Sequence, residues 1–279
     1  MRRVPLADFP AGAQPGIFLH EVLEDTDFAW GRTPEGRTAL RERLDELLPR
    51  HGLDATLWAE PLTEHLSAVL TTPLGGPLGG SSLADIQRTE RFDELRFDLP
   101  VRGGRSWRAG VDDALSGTAL LNALGAAGPR DALRADYLAQ LAALPVGDLA
   151  GFLTGSIDLV FRQQVNGQNK WFIADYKSNH LGDTVAGYAP SALRDAMEGH
   201  HYPLQAHLYT LALHRLLRWR VPDYDYERDV GGVYYLFLRG MTGEQAPTPA
   251  PPGCFFDRPP LAVVQALDTL FASSPQEAS

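Results

Sequence analysis

The sequence predicts an α/β fold, with a mixed sheet, helices on both faces and an N-terminal helical lobe against it. Three observations predict this. Phe152–Phe161 and Trp171–Tyr176 are apolar runs rich in Val, Ile, Leu and aromatics. The polar stretch between them contains Asn166-Gly167, the dipeptide most typical of tight hairpin turns. A third run, GGVYYLFLRGM, reads as a buried strand ending at Arg239, and segments of helical period flank these strands. At 279 residues and 44% apolar, the chain has the material for one large domain or two small ones.

In order, Pro15-Gly16 opens a helical segment, GIFLHEVLEDTDF, with Ile17, Phe18 and Val22 as its apolar side. His20 lies within it, one turn from Glu24; periodicity alone makes it a half-buried helix histidine. Thr38–Leu48 and Ala55–Leu70 read as amphipathic helices. The Gly/Pro loop Thr71–Ser82 has the look of a phosphate loop, but neither Lys nor GK[ST] follows, so it reads as a connector. ERFDELRFDLPV alternates roughly through Phe92, Leu95, Phe97 and Leu99, which predicts a strand with Glu94 among them. The Ala- and Leu-rich Gly103–Leu149 reads as helical, broken at Gly125–Pro129.

Beyond the hairpin, Ala189–Glu198 predicts a short helix and His201–Trp219 a longer one striped by Leu204, Leu208 and Leu211. Gln205 and Tyr209, four apart, share a neighbouring face. Arg215, Arg218 and Arg220 suit the negative end of the helix dipole and are candidates for phosphate contact. Glu244–Gly253 is a Pro-rich loop, Leu261–Ala272 a final helix and Ser273–Ser279 a frayed tail.

The net charge of −10 argues, on its face, against nucleic acid, because phosphate contacts need Lys and Arg. Metal-binding carboxylates would contribute to that count, and the cation would set the local field. A domain to which DNA is delivered also needs less steering charge of its own. No GxxxxGK[ST] occurs, so the chain is not a motor. The single cysteine, Cys254, fits a reducing cytosol. MRRVPLADFPAGAQ has no apolar h-region of a signal peptide, and no run of eighteen apolar residues exists.

The chemistry concentrates between Gly151 and Gly182. Asp158 sits inside the first apolar run, Asp175 near the end of the second, and Lys177 two residues on. Side chains two apart on a strand share a face, and a paired strand can bring Asp158 beside them. Carboxylates inside apolar strands are costly unless a cation or hydrogen bonds compensate. Oxygen ligands on a rigid sheet suit Mg²⁺, and a lysine beside them can orient water or offset phosphate charge. That set fits metal-dependent phosphodiester hydrolysis. A D-x-K pair alone is more often a strand-end Asp capping a turn and a solvated Lys.

The wider order is more specific. IDLVF, ADYKSNHLG, YPLQAHLYTLALHRLL and GGVYYLFLRGM together resemble the C-terminal nuclease domain of the RecB family, in the PD-(D/E)xK superfamily. The resemblance runs from about Val4 to about Phe271 and is weakest over 103–149. It implies a restriction-endonuclease-like core with a central mixed sheet. Residues 1–90 would form a helical region contributing His20, 91–272 the nuclease core, and 273–279 a flexible tail. It also implies that His20 of G-x-FLH-x-x-x-E, Asp158, Asp175 and the backbone carbonyl of Tyr176 ligate Mg²⁺. Mn²⁺ would substitute, and Ca²⁺ would bind without supporting cleavage. Lys177 would position the attacking water and stabilise the developing charge. Glu94, in E-x-x-F-x-LP, would lie at the active site, there to bind a second metal or a metal-bound water. Gln205 and Tyr209 of LQ-x-x-LY would position DNA. Two departures are Leu95, where Met is expected, and Asp229, where a His commonly precedes the GG.

The activity so implied is exo- and endonucleolytic cleavage of DNA, single strands preferred, in double-strand-break processing and recombinational repair. The partners implied are RecB helicase domains, RecC and RecD, and the RecA recombinase, in the cytoplasm. A chain that begins with Met at this domain reads as an excised domain or a stand-alone relative. Stand-alone nucleases of this superfamily usually carry cysteines for an iron–sulfur cluster, which one cysteine cannot supply. A reading from another class is a non-catalytic platform for the recombinase or a partner subunit. A platform would not need His20, Glu94, Asp158, Asp175 and Lys177 together.

Overall fold

Five strands form one mixed sheet in the order β1 (Arg91–Val101), β2 (Gly151–Val165), β3 (Gln168–Lys177), β4 (Val230–Phe237) and β5 (Cys254–Asp257). The computed structural model describes residues 2–101, 117–129, 133–143, 151–244 and 250–271. Much of the Gly103–Leu149 reading, Ala272 of the final helix, the middle of the Glu244–Gly253 loop and the tail Ser273–Ser279 lie outside the described residues.

The hairpin forms as the sequence predicts. Asn166 and Gly167 have φ of 52° and 79°, the positive pair that a type I′ turn requires. The turn fixes an antiparallel register from Val165↔Gln168 to Leu159↔Ala174. β4 and β5 are likewise antiparallel, from Val233↔Asp257 to Leu236↔Cys254.

The chain divides into two compact units. The first comprises Met1–Leu95, Asp158–Met197 and Gly231–Asp257. The second comprises Arg96–Ile157, Glu198–Val230 and Arg258–Ser279.

In the first unit three helices cover one sheet face: α1 (Ala13–Asp25), α2 (Pro34–Arg50) and α3 (Ala55–Thr71). Thr33 caps α2 by accepting from Gly36 N at 3.0 Å, with Pro34 at the first helical position. Asp54 caps α3 by accepting from Thr56 N at 2.8 Å. Their buried side chains, such as Phe18, Leu44 and Leu66, form one core with Leu159, Phe161, Phe172, Ala174, Tyr234 and Leu236. Each fully buried Leu or Phe contributes roughly 1.5–3 kcal/mol to such a core.

Two expectations here are corrected. Ile17 is 54% exposed; the buried side of α1 is Phe18, Leu19, Val22 and Leu23. At 100° per residue Ile17 stands roughly 170° from the centre of that set. α1 also stops at Asp25: Thr26 turns extended and its hydroxyl bonds back to Val22 O, so Phe28 begins a separate 3₁₀ turn. On β1 the inward residues are Arg91, Asp93, Leu95, Phe97 and Leu99, so Phe92 belongs to the outward set and is 53% exposed. The connector reading of Thr71–Ser82 stands, with a short 3₁₀ turn at Gly76–Leu78.

In the second unit α4 (Gly117–Leu124), α5 (Ala135–Ala143), α7 (Tyr202–Arg220) and α9 (Leu261–Leu270) pack together. α8 (Tyr226–Asp229) also belongs to this unit, whereas α6 (Pro190–Gly199) lies mostly in the first. The expected stripe on α7 shifts. Leu204 and Leu208 are only half-buried, whereas Ala206, His207, Thr210 and Leu211 are buried. His207 and Thr210 pass as core residues because each bonds to a carbonyl four residues back, Pro203 O and Ala206 O.

Candidate active site

The hairpin register, carried one step past Leu159↔Ala174, puts Asp158 opposite Asp175. Asp175 and Lys177, two apart on β3, then project from the same face. The Lys177 ammonium forms an ion pair with Asp175 Oδ2 and lies 5.3 Å from the ring centre of Tyr235 on β4. The Asp175 side chain is 3% exposed and that of Lys177 12%.

Asp158 is aimed by backbone. Tyr176 N–H donates to Asp158 Oδ2 at 2.8 Å, which leaves Oδ1 facing His20 Nδ1 at 3.4 Å. His20 Nε2 lies 3.0 Å from the Tyr176 carbonyl, and the two rings meet edge to face. α1 can approach the end of β3 this closely because Gly16 has no side chain: a Cβ there would fall 2.8 Å from Ser178 Oγ. His20, Asp158, Asp175, the Tyr176 carbonyl and Lys177 are therefore gathered in one unit.

Burial, then the neighbouring Asp158 charge, pushes the Asp175 carboxyl up to about 7 against the pull of Lys177 and His20. Burial would lower the His20 pKa, but the hydrogen bond and charge of Asp158, with the charge of Asp175, outweigh it and the pKa rises. Both directions have one cause, an excess of negative charge in a poorly hydrated spot.

Glu94 stands outward on β1 with φ of 51°, a left-handed conformation that is uncommon for a side-chain-bearing residue. Burial, and then Glu94 ahead of Asp25, Asp93 and Glu21, raises the Glu24 carboxyl. Glu94 is thus a neighbour of Glu24 on α1, one turn beyond His20. Gln205 and Tyr209 belong to the second unit, where Gln205 Nε2 donates to Tyr209 Oη at 2.8 Å and the Tyr209 ring meets Phe97 edge-on.

The arginines at the end of α7 have partners within their own unit. Arg215 and Arg218 both bind Asp268, at 2.6 and 2.9 Å, and Arg220 stacks over Trp219 at 3.9 Å. Asp229 accepts from Asp225 N and from Arg228.

Among the described residues no group of three or more His, Cys, Asp or Glu side chains is arranged to hold a metal ion. The reason is local: Asp175 Oδ2 is turned to Lys177, and the third oxygen donor is the main-chain carbonyl of Tyr176. The donors nevertheless suit a hard divalent cation. Adjacent octahedral ligands at 2.0–2.1 Å from Mg²⁺ stand about 3 Å apart, the His20 Nε2 to Tyr176 O separation being 3.0 Å. A cation would also relieve the Asp158–Asp175 repulsion that raises the Asp175 pKa.

Two residues escaped the sequence. Arg239 is fully buried with no carboxylate partner among the described residues; it donates to Leu6 O, Phe9 O, Pro10 O and Ser178 O at 2.6–3.0 Å. It pins the N-terminal segment to the residue after Lys177. Arg91 is buried against the Phe28 ring and donates to Thr26 O and Asp93. Their acceptors are carbonyls far off in sequence, which no local pattern announces. Glu24 did have a signal, its four-residue spacing from His20.

The chain matches the PD-(D/E)XK nuclease superfamily over residues 2–269. It is 40% identical over 276 residues to the RecBCD enzyme subunit RecB of Mycobacterium tuberculosis, covering 95% of this chain and 24% of that protein. Against the same subunit of Escherichia coli it is 36% identical over 264 residues, and of Haemophilus influenzae 37% over 266, covering 95% of this chain and 19% of each relative. The chain thus spans about a fifth to a quarter of the length of these relatives. A family match across nearly every residue, over a sheet that sets Asp158 of β2 opposite the Asp175 and beside the Lys177 of the D-x-K strand, establishes that the chain belongs to the PD-(D/E)XK nuclease superfamily.

Proposed function

We propose that this chain is a Mg²⁺-dependent deoxyribonuclease that cuts single strands in recombinational repair, as the nuclease part of a RecB-type helicase-nuclease. The observation that carries the reading is the buried pair Asp158–Asp175 with Lys177 beside it on one sheet face. His20, Asp158, Asp175 and the Tyr176 carbonyl would hold Mg²⁺; Mn²⁺ would substitute, and Ca²⁺ would bind without turnover. The bound ion would draw electron density from the phosphate and offset its charge.

The chain's own residues do the rest. Tyr176 N–H fixes the Asp158 carboxylate, so one oxygen stays presented. His20 must be neutral to offer a lone pair, and its edge contact with Tyr176 fixes the ring plane. The Lys177 ammonium, held between Asp175 and the Tyr235 ring, supplies a fixed positive charge for the pentavalent phosphate and a donor to orient the attacking water. Glu94 would bind a second metal or a metal-bound water, and Gln205 and Tyr209 would position the strand.

RecC and RecD are the partners this reading entails, because the relatives in which the domain occurs are named as RecBCD subunits; the resemblance to the RecB family adds helicase domains and RecA. The test is nicking of circular single-stranded DNA with Mg²⁺, with Ca²⁺ and with EDTA. Cleavage with Mg²⁺ alone supports the proposal; no cleavage with Mg²⁺ or Mn²⁺ overturns it.

A further inference from the structure

Arg162 on β2 and Trp171 on β3 are register partners, so their side chains share a sheet face. Counting in twos, that face also carries Asp158 on β2 and Asp175 and Lys177 on β3. Phe92 from β1 stacks on Trp171 with ring centroids 6.1 Å apart and 22° between planes. The Arg162 guanidinium lies 5.7 Å from the Trp171 ring. Phe92 is 53% exposed, so the stack stands in reach of solvent. Next to the stack is a cavity of about 290 Å³ lined by the amides of Gln87, Gln163, Gln164 and Asn169, by the carboxylates of Asp85 and Glu90, and by Arg162. Both Glu90 oxygens hold Arg162, at 2.6 and 2.9 Å. The Gln87, Gln164 and Asn169 amides make no side-chain hydrogen bond among the described residues.

We infer that the Phe92–Trp171 stack and this amide-lined cavity form a nucleobase subsite for the single strand whose phosphodiester reaches Asp158 and Asp175. A base has a flat π face and an edge of mixed donors and acceptors. The site offers the complement, an exposed aromatic stack and amides that both donate and accept. The strand must be single, since paired bases hide those edges. Arg162 is neutralised by Glu90, so attraction comes from stacking and hydrogen bonds, as an acidic chain requires. Trp171 is four residues from Asp175, and Arg162 four from Asp158, about 13 Å along each strand. The subsite therefore holds a base a few nucleotides from the cut.

The inference rests on the nuclease reading, and its test separates the two. The whole chain is titrated in EDTA with a fluorescein-labelled oligothymidylate, and with an abasic strand of equal length. Phe92→Ala should weaken oligothymidylate binding about tenfold and leave the abasic strand unaffected. Gln164→Ala with Asn169→Ala should weaken it less, in the same base-dependent way. With Mg²⁺ the Phe92→Ala loss should appear as a KM for oligothymidylate raised about tenfold, the size of one lost base stack. Unchanged oligothymidylate affinity, or an equal loss with the abasic strand, overturns the subsite and leaves this face to the rest of a longer polypeptide. A wild-type chain that binds but never cuts sinks the nuclease reading alone.

Discussion

Tyr176 N–H donates to Asp158 Oδ2 at 2.8 Å, so the main chain of one candidate ligand strand holds the side chain of the other. The carbonyl of Tyr176 faces His20. The site is thus tied to the β2–β3 register rather than to side chains alone. Changes to single side chains here should leave a folded protein, and the predictions for Asp175 and Lys177 build on that.

Asp175→Asn should cost at least about a hundredfold in cleavage, and in EDTA near pH 8 it should melt higher than wild type. The Asp175 carboxyl is raised to about 7 by burial and Asp158. The folded state therefore binds more protons than the unfolded one between the ordinary carboxylate range and about 7. Stability is lost as pH rises through that window, on the order of a few kcal/mol. The amide removes this dependence. Melts of both proteins in EDTA across pH 5 to 8 decide the matter: parallel curves would refute the burial argument.

Lys177→Ala should lose about a hundred- to a thousandfold in rate while retaining divalent-ion binding. Lys177 competes with a cation for Asp175 Oδ2, so its removal frees an oxygen. Calorimetric titration with Mn²⁺ checks this; an affinity that disappears with the lysine would contradict the assigned role.

His65 gives a stability test away from the site. It is fully buried, donates to Leu238 O at 2.9 Å, and burial pushes its pKa down to about 4. A base with a depressed folded pKa stabilises above its unfolded value of 6.5, and that stability is lost as pH falls through about 4. The contribution is about 3 kcal/mol. His65→Gln, which keeps a donor, should flatten the urea midpoint between pH 7 and pH 4.5. A variant as acid-sensitive as wild type would show that another group titrates.

How much of this was legible depended on the range of the interaction. The hairpin was readable because Asn166-Gly167 states its φ values locally. Asp158 facing Asp175 followed from that turn by counting. Ile17 was misassigned because an apolar residue beside Phe18 carries no mark of which side of the helix a partner covers, and only the partner surface chooses. The arginines on α7 looked free because Asp268, which binds two of them, lies some fifty residues on. Arg239 was unreadable: its four acceptors are backbone carbonyls, which carry no residue identity.

The last prediction concerns how an acidic chain meets DNA. Net charge is −10, and the sequence-independent part of affinity comes from phosphate neutralisation. The structure removes several of the cations that could supply it. Arg215 and Arg218 serve Asp268, Arg162 serves Glu90, and Arg91 and Arg239 are buried. With two or three phosphates neutralised at most, log K against log salt should fall with a slope no steeper than about −2 for a single strand. Binding by the isolated chain should then be micromolar or weaker at physiological salt, and cleavage slow at low DNA concentration. Attaching a motor or a basic DNA-binding module should raise that rate through effective concentration, without new chemistry. At saturating DNA the fused and free forms should converge on one rate. The measurement is cleavage against single-stranded DNA concentration for both forms, at fixed Mg²⁺ and several salt concentrations. Nanomolar binding by the free chain, or a steep salt slope, would mean that other cations of the chain form a basic track.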